Sequence, residues 1–409
     1  MKKIVGIIAA AALAASAFAE VNIGAGFNRF VFVPFAYDGD TVRTMEGVSW
    51  SGTNYGGAGG RIGLRFSAST ENAGIALDIH ANPGDSGETI GLGDNAYVWV
   101  KPAEIFKVAF GKFDNHWGRL DECFGDWDTW RMANVTVGEG IGGVDRTNGT
   151  GACFTLTPIE GLVIDYQACF GATDDNDNSV YTDDVYEIKD GEVTKTHSKG
   201  DKKETLGNVR SYHVFWEGAS LMVGYKADFG FIRAIVNGQK AAANSSGDST
   251  PWAKISVAAD ITAVENMTFK LGATIPTMLD SGYNPQDVLF AAGADFDFSP
   301  VKLHLVADMG LKGKVKDDDA SKAELKDFIM KIGAGVDYDI NDALTAVAAV
   351  RFANDKVVKD GAFGVFAGLT QKLSNASINY GVELGKNVGP SAKADDFTFA
   401  VPLTITASF

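Results

Sequence analysis

From Phe397 to Phe409 apolar residues alternate with small and polar ones without a break. Phe397, Phe399, Val401, Leu403, Ile405, Ala407 and Phe409 share one face of an extended chain, and Thr398, Ala400, Pro402, Thr404, Thr406 and Ser408 share the other. Side chains repeat every two residues along a strand, so this segment reads as a two-faced strand ending on an aromatic residue. At the opposite end, Lys2 and Lys3 precede the apolar stretch Ile4 to Ala15 and a small-x-small site, Ala17-Phe18-Ala19. That pattern reads as a secretory signal peptide over residues 1–19, with Glu20 as the new N-terminus. Its apolar stretch is shorter than the roughly 20 residues of a spanning helix. No Cys follows the cleavage site, which argues against a lipid anchor. Further along, the greasiest run is Leu344 to Val350, again far too short to span as a helix. If the exported chain meets a membrane, it does so as strands, because backbone groups in lipid must be hydrogen-bonded internally.

Period-2 segments recur throughout, and their connections alternate between short and long. The short ones are Glu71-Asn72, Lys101-Pro102, Ile159-Glu160, Ala227-Asp228, Val264-Glu265, Ser299-Pro300, Asn341-Asp342 and Ser374-Asn375. Most carry residues that favour turns or end strands. Between them lie longer polar connections rich in Gly, Asp and Ser. The expected fold class is therefore all-β, an antiparallel barrel of about 18 strands. Its least certain member is Arg210 to Lys226, read as one long strand that Glu217-Gly218 could break; a miscounted connection would make it 16.

The two faces differ in chemistry. Phe328, Met330, Ile332, Ala334, Val336, Tyr338 and Ile340 alternate with a face holding Lys331, Asp337 and Asp339. Leu344, Ala346, Ala348, Val350 and Phe352 back onto Thr345 and Arg351; Ile62, Leu64 and Phe66 back onto Arg61 and Arg65; Ile75, Leu77 and Ile79 back onto Asp78 and His80. A charged face behind each apolar face means that one side of the sheet is wet. A soluble sandwich would bury the apolar faces against each other. Phe296, Phe298, Tyr338 and Phe409 gather at the short-turn ends, which suits an interfacial girdle and has no particular reason in a sandwich.

With its signal peptide, repeated hairpins and terminal Phe409, the chain resembles Gram-negative-type outer-membrane porins. The resemblance is architectural and covers most of the chain. It implies one domain over 20–409 in the cell outer membrane, with short periplasmic turns, long outer loops and a homotrimeric assembly as in general porins. It also implies that the assembly machinery of that membrane reads the strand ending in Phe409. In general porins the loop after the fifth strand, here Glu104 to Lys112, folds inward as the constriction. The resemblance gives that role to residues 114–151. Arg119, Asp121, Glu122, Asp126, Asp128 and Arg131 would then set a transverse field, with Arg146 in support, and Trp117, Trp127 and Trp130 would anchor the loop. The other reading of this segment is an external loop whose tryptophans pack its own base.

On the wall, parity places Arg61, Arg65, Asp78, His80, Lys107, Asp165, Lys254, Lys270, Lys331, Arg351 and Glu383 toward the lumen. The formal net charge is −16, and about −18 without the two signal lysines. This balance argues against a nucleic-acid partner, and the mixture of wall signs points to weak selectivity, tilted to cations. Among the three cysteines, Cys123 sits in the proposed constriction loop, and Cys153 and Cys169 share parity on adjacent strands. One disulfide in any pairing, or three thiols, fits an oxidising periplasm. GxSxG and HExxH are missing. Gly138 to Gly143 lacks the strand and helix of a dinucleotide fingerprint, and the Asp174 and Asp317 clusters lack the glycine and distal Glu of a calcium loop. The expectation is thus a porin with no reaction, no cofactor and no metal, passing small hydrophilic solutes and ions by passive diffusion. The alternatives are a substrate-specific channel, for example for sugars, and a surface adhesin or structural barrel using the long connection at about 172–208.

Overall fold

A computed structural model describes residues 20–25, 28–37, 42–44, 47–48, 57–82, 89–113, 149–169, 185–189, 192–198, 216, 219–243, 249–278, 280–281, 284–315, 323–354, 361–386 and 397–407. Residues 1–19, 114–148 and 408–409 lie outside these.

The described chain is built of strands, most of them in one 21-stranded sheet. Eighteen of these form a circuit: β1 (Asn28–Tyr37), β2 (Gly57–Ser69), β3 (Ala73–Asn82), β4 (Thr89–Ala103), β5 (Phe106–Phe113), β6 (Gly149–Leu156), β7 (Leu162–Cys169), β8 (Ser220–Ala227), β9 (Gly230–Ala243), β10 (Ser249–Ile261), β11 (Met267–Pro276), β12 (Val288–Phe298), β13 (Val301–Val315), β14 (Ala323–Asn341), β15 (Leu344–Asn354), β16 (Ala362–Lys372), β17 (Ala376–Lys386) and β18 (Phe397–Ala407). Each pairs antiparallel with the next, and β18 returns to β1 through Asn28↔Ala407 to Tyr37↔Phe399. The segment Glu20–Ala25 leads into β1 and, like it, pairs with β2. A sheet that closes on itself leaves no unpaired edge. Outside it stand two small hairpins, Val185–Lys189 with Glu192–His197, and Asp280–Ser281 with Asn284–Pro285.

The expected barrel of about 18 strands is what the pairing forms. Several turns sit one to three residues from their expected places. β4 runs through Lys101 and Pro102, and the turn is Glu104-Ile105. Pro102 is tolerated because the ladder slips between Val100 and Ala103, so the missing N–H breaks no rung. The turns at Asp228-Phe229 and Asp342-Ala343 each lie one residue beyond the expected pair, since Ala227 and Asn341 still pair across the hairpin. The long strand expected over Arg210 to Lys226 starts at Ser220 among the described residues. The fifth strand starts at Phe106 rather than Glu104.

The two faces are inverted relative to a soluble protein. Ile62, Leu64, Val98, Phe110, Val223, Ile232, Val257, Leu271, Leu305, Ile332, Val350, Val382 and Ile405 are all exposed. Asp78, Asp165, Arg233, Lys270, Arg351, Glu383, Thr398 and Thr404, from the opposite parity, are buried. The apolar stripe therefore points outward around the circuit, and the charged face points in. The inner face is less wet than the alternation implied. Met222, Ile235, Ala258 and Ala291 form an inward apolar cluster with Val163 and Leu289 against it. Neighbouring inward side chains shield one another, as where the Ser256 and Thr274 hydroxyls meet at 2.9 Å.

One inward aromatic shows how the wall accommodates its own side chains. Gly368 and Gly381 face each other on β16 and β17, and the tip of the Phe366 ring lies against both. A Cβ on Gly381 would come within 2.3 Å of the ring's Cζ, and one on Gly368 within 2.5 Å. Gly381→Ala should therefore overpack the site and cost about 1–3 kcal/mol. In a Phe366→Ala background the same change should cost less, the remainder being the contact of the new Cβ with the Ala367 carbonyl oxygen at 2.5 Å. Urea unfolding of the four proteins in detergent measures this; equal costs in both backgrounds would show that the ring is not what the glycines accommodate.

Candidate pore lining

Among the described residues, three groups of charge stand out on the inner face. In the first, β2, β3 and β4 hold Asp78, 3 % exposed. Arg65 Nε donates to its Oδ1 at 2.8 Å and Nη2 to its Oδ2 at 3.3 Å. Asn95 adds its backbone N–H at 3.2 Å and its side-chain amide at 3.0 Å, both to Oδ2. This is possible because the β3–β4 ladder slips between Leu77 and Ile79, and the looped-out residues of β4 bring Asn95 over the carboxylate. The Arg65 side chain stays 60 % exposed, so the pair is a carboxylate fixed to the wall with a guanidinium projecting inward. Asp78→Ala strips the shielded Asn95 donors of their acceptor and should cost about 1–3 kcal/mol. Arg65→Ala, at an exposed position, should cost less than Asp78→Ala; the reverse order in chemical denaturation would contradict this geometry.

The second group lies on β9 to β11. Arg233 Nη1 donates to Asp260 Oδ2 at 2.7 Å and packs 5.0 Å from the Phe231 ring centroid, while Lys270 stands opposite Asp260 in register. The third occupies the short-turn ends of β12 to β16. Asp297, Lys302 and Asp337 form one cross-strand row, with Lys302 Nζ 3.3 Å from Asp297. In the next row His304 Nδ1 lies 2.6 Å from Asp295 and Nε2 3.5 Å from Asp337. Asp339 accepts from Thr345 Oγ1 at 2.6 Å and from Lys372 Nζ at 2.9 Å. From β12 to β14 the signs alternate strand by strand, so attraction acts along the wall and the interior carries both charges at close spacing. Nearer the long-loop end, Lys312 meets Asp287 at 2.7 Å, and Lys314 pairs with Asp327.

Of the wall residues expected from sequence, Asp78, His80, Asp165, Lys270, Arg351 and Glu383 are buried on the inner side; Lys107, Lys254 and Lys331 are half-buried there. Lys331 stands opposite Asp308 in register. Arg61 lies in β2 opposite Arg29, its side chain outside the described residues. Arg119, Asp121, Glu122, Asp126, Asp128, Arg131 and Cys123 also fall outside them. The register sets Cys153 opposite Gln167 and Cys169 opposite Gly151, and the Cys153 thiol donates to Asp165 Oδ1 at 2.8 Å. Sequence parity passed over the cluster at His304. Its residues lie on three strands whose register parity alone does not fix. It passed over an aromatic group too: Tyr97, Trp99, Ala109, Phe113 and Cys153 pack together on the inner face of β4 to β6, with Tyr97 and Phe113 centroids 5.2 Å apart.

No protein-family model matches the chain, and no curated protein does. Among solved structures it is similar to OmpT, an outer membrane protein of Vibrio cholerae in trimer form, at 13% identity and a TM-score of 0.41, covering 96% of this chain and 100% of that one. It is similar to the anion-selective porin from Comamonas acidovorans at 11% identity and a TM-score of 0.42, covering 96% and 100%. A third is Pseudomonas aeruginosa OccK11, at 10% identity and a TM-score of 0.48, covering 96% of each chain. The strand circuit and its inverted faces stand independently of these likenesses.

Proposed function

We propose that the chain is an outer-membrane porin, a channel for passive diffusion of small hydrophilic solutes and ions. The observation that carries this reading is the inversion of faces around the circuit of β1 to β18. Exposing this much contiguous apolar surface to water is unfavourable, whereas the same belt facing lipid, with charge turned inward, is the arrangement of a transmembrane barrel. Phe298 and Tyr338, both 49 % exposed and next to the short turns, supply one aromatic rim of that belt. The export signal expected at residues 1–19 agrees with this location, and the porin reading carries with it lipid contact, assembly-machinery recognition of Phe409 and a homotrimer. Catalysis forms no part of it. The charges of both signs described above favour polar solutes with weak ionic preference. In planar bilayers the purified protein should give ohmic conductance steps; a membrane-inserted protein without them would favour the adhesin or structural reading. The aromatic group at Tyr97, Trp99 and Phe113 favours a second reading, a sugar-specific channel. Sugar-dependent block of the conductance distinguishes it from a general pore.

A further inference from the structure

Across the outward face of β11 to β16 runs a groove of about 560 Å³. Ala292, Ala294 and Ala307 floor it, and Leu271, Phe352 and Phe363 stand along its sides. Register fixes its level. Phe298, Val301 and Tyr338 form the aromatic row at the short turns, and the next row holds Phe296, Leu303 and Val336. The groove occupies the two rows beyond, Ala294–Leu305–Ala334 and Ala292–Ala307–Ile332. With about 3.3 Å per residue and strands tilted about 40°, this places it about 10–15 Å from the aromatic rim, at acyl-chain depth.

We infer that this groove, given the membrane reading above, seats one phospholipid acyl chain from the leaflet at the short-turn side. Lipid tails are as apolar as leucine, so nothing hydrophobic drives contact inside a bilayer; the gain comes from shape and close packing. Around the groove Leu271, Phe352 and Phe363 stand out from the sheet. Here the alanines leave the floor low, and a slim, flexible chain contacts floor and both sides together. The raised sides also decide between occupants. Leu271 and Phe363 are 49 % and 47 % exposed, and they hold the broad strand face of a second copy away from the floor.

The test uses the full chain reconstituted in vesicles of phosphatidylethanolamine and phosphatidylglycerol, then released into mild detergent for native mass spectrometry. Wild type should retain a phospholipid, and Ala292→Leu/Ala307→Leu should retain it about tenfold less, because the floor is filled while every strand pairing remains. Ala348→Leu, on the same outward face but outside the groove, should behave as wild type. Equal retention by the floor variant overturns the inference, as does an inserted wild type that carries no lipid. A dimer that the floor variant abolishes would assign the groove to a second copy and overturn it as well. A wild-type chain that fails to enter vesicles defeats the membrane reading itself, and heat-dependent gel migration identifies that case separately.

Discussion

Replacing Val350 with Arg should destabilise the folded barrel by about 2–4 kcal/mol, the cost of a cation on the lipid face near the midplane. Val350 is 43 % exposed on the outward side and lies two rows from the aromatic rim. Its neighbour Arg351 is 4 % exposed on the inner side, so one residue of chain separates a position that rejects charge from one that already holds it. The exchange variant, Val350→Arg with Arg351→Val, keeps the composition and inverts only the faces; it should be at least as unstable. Val350→Leu should be nearly neutral. Unfolding in urea from lipid or detergent measures all three. A stable exchange variant would mean that the outward face meets water, and the membrane reading would fall.

The second large effect concerns residues 114–148, which lie outside the described structure and whose role rests on sequence and resemblance. Deleting the stretch between Trp117 and Trp130 should raise single-channel conductance severalfold if this loop narrows the passage, because the obstruction goes while β5 and β6 stay paired through Phe113↔Gly149. Neutralising Asp126 and Asp128 together should lower cation preference, read as a shifted reversal potential across a salt gradient. Charges in a narrow passage are screened less than those on outer loops, so a few of them set selectivity. Unchanged conductance and reversal potential in both variants would place the constriction on the wall. The nearest candidates are then Arg65 at Asp78 and the row Asp297, Lys302 and Asp337.

Strand identity, the sorting of residues onto two faces and an approximate strand number were legible in the residues alone. The alternation in Phe328 to Ile340 and in Phe397 to Ala407 has period two, and a strand has no other way to sort such a pattern than onto opposite faces. Turn positions were legible to within one to three residues. Pro102 misled because a ladder slip removes the cost that proline usually carries in a strand. Only the closed tertiary structure decided which face points outward, since a sandwich and a barrel read identically along one strand. Only cross-strand register decided the contacts at the site. His304 meets Asp295 and Asp337 because β12, β13 and β14 align at those residues, and Asn95 reaches Asp78 because β4 bulges there. Periodicity within a strand is local and is carried by the order of the residues. Register between strands depends on turn geometry and on closing the whole circuit, which no single segment encodes.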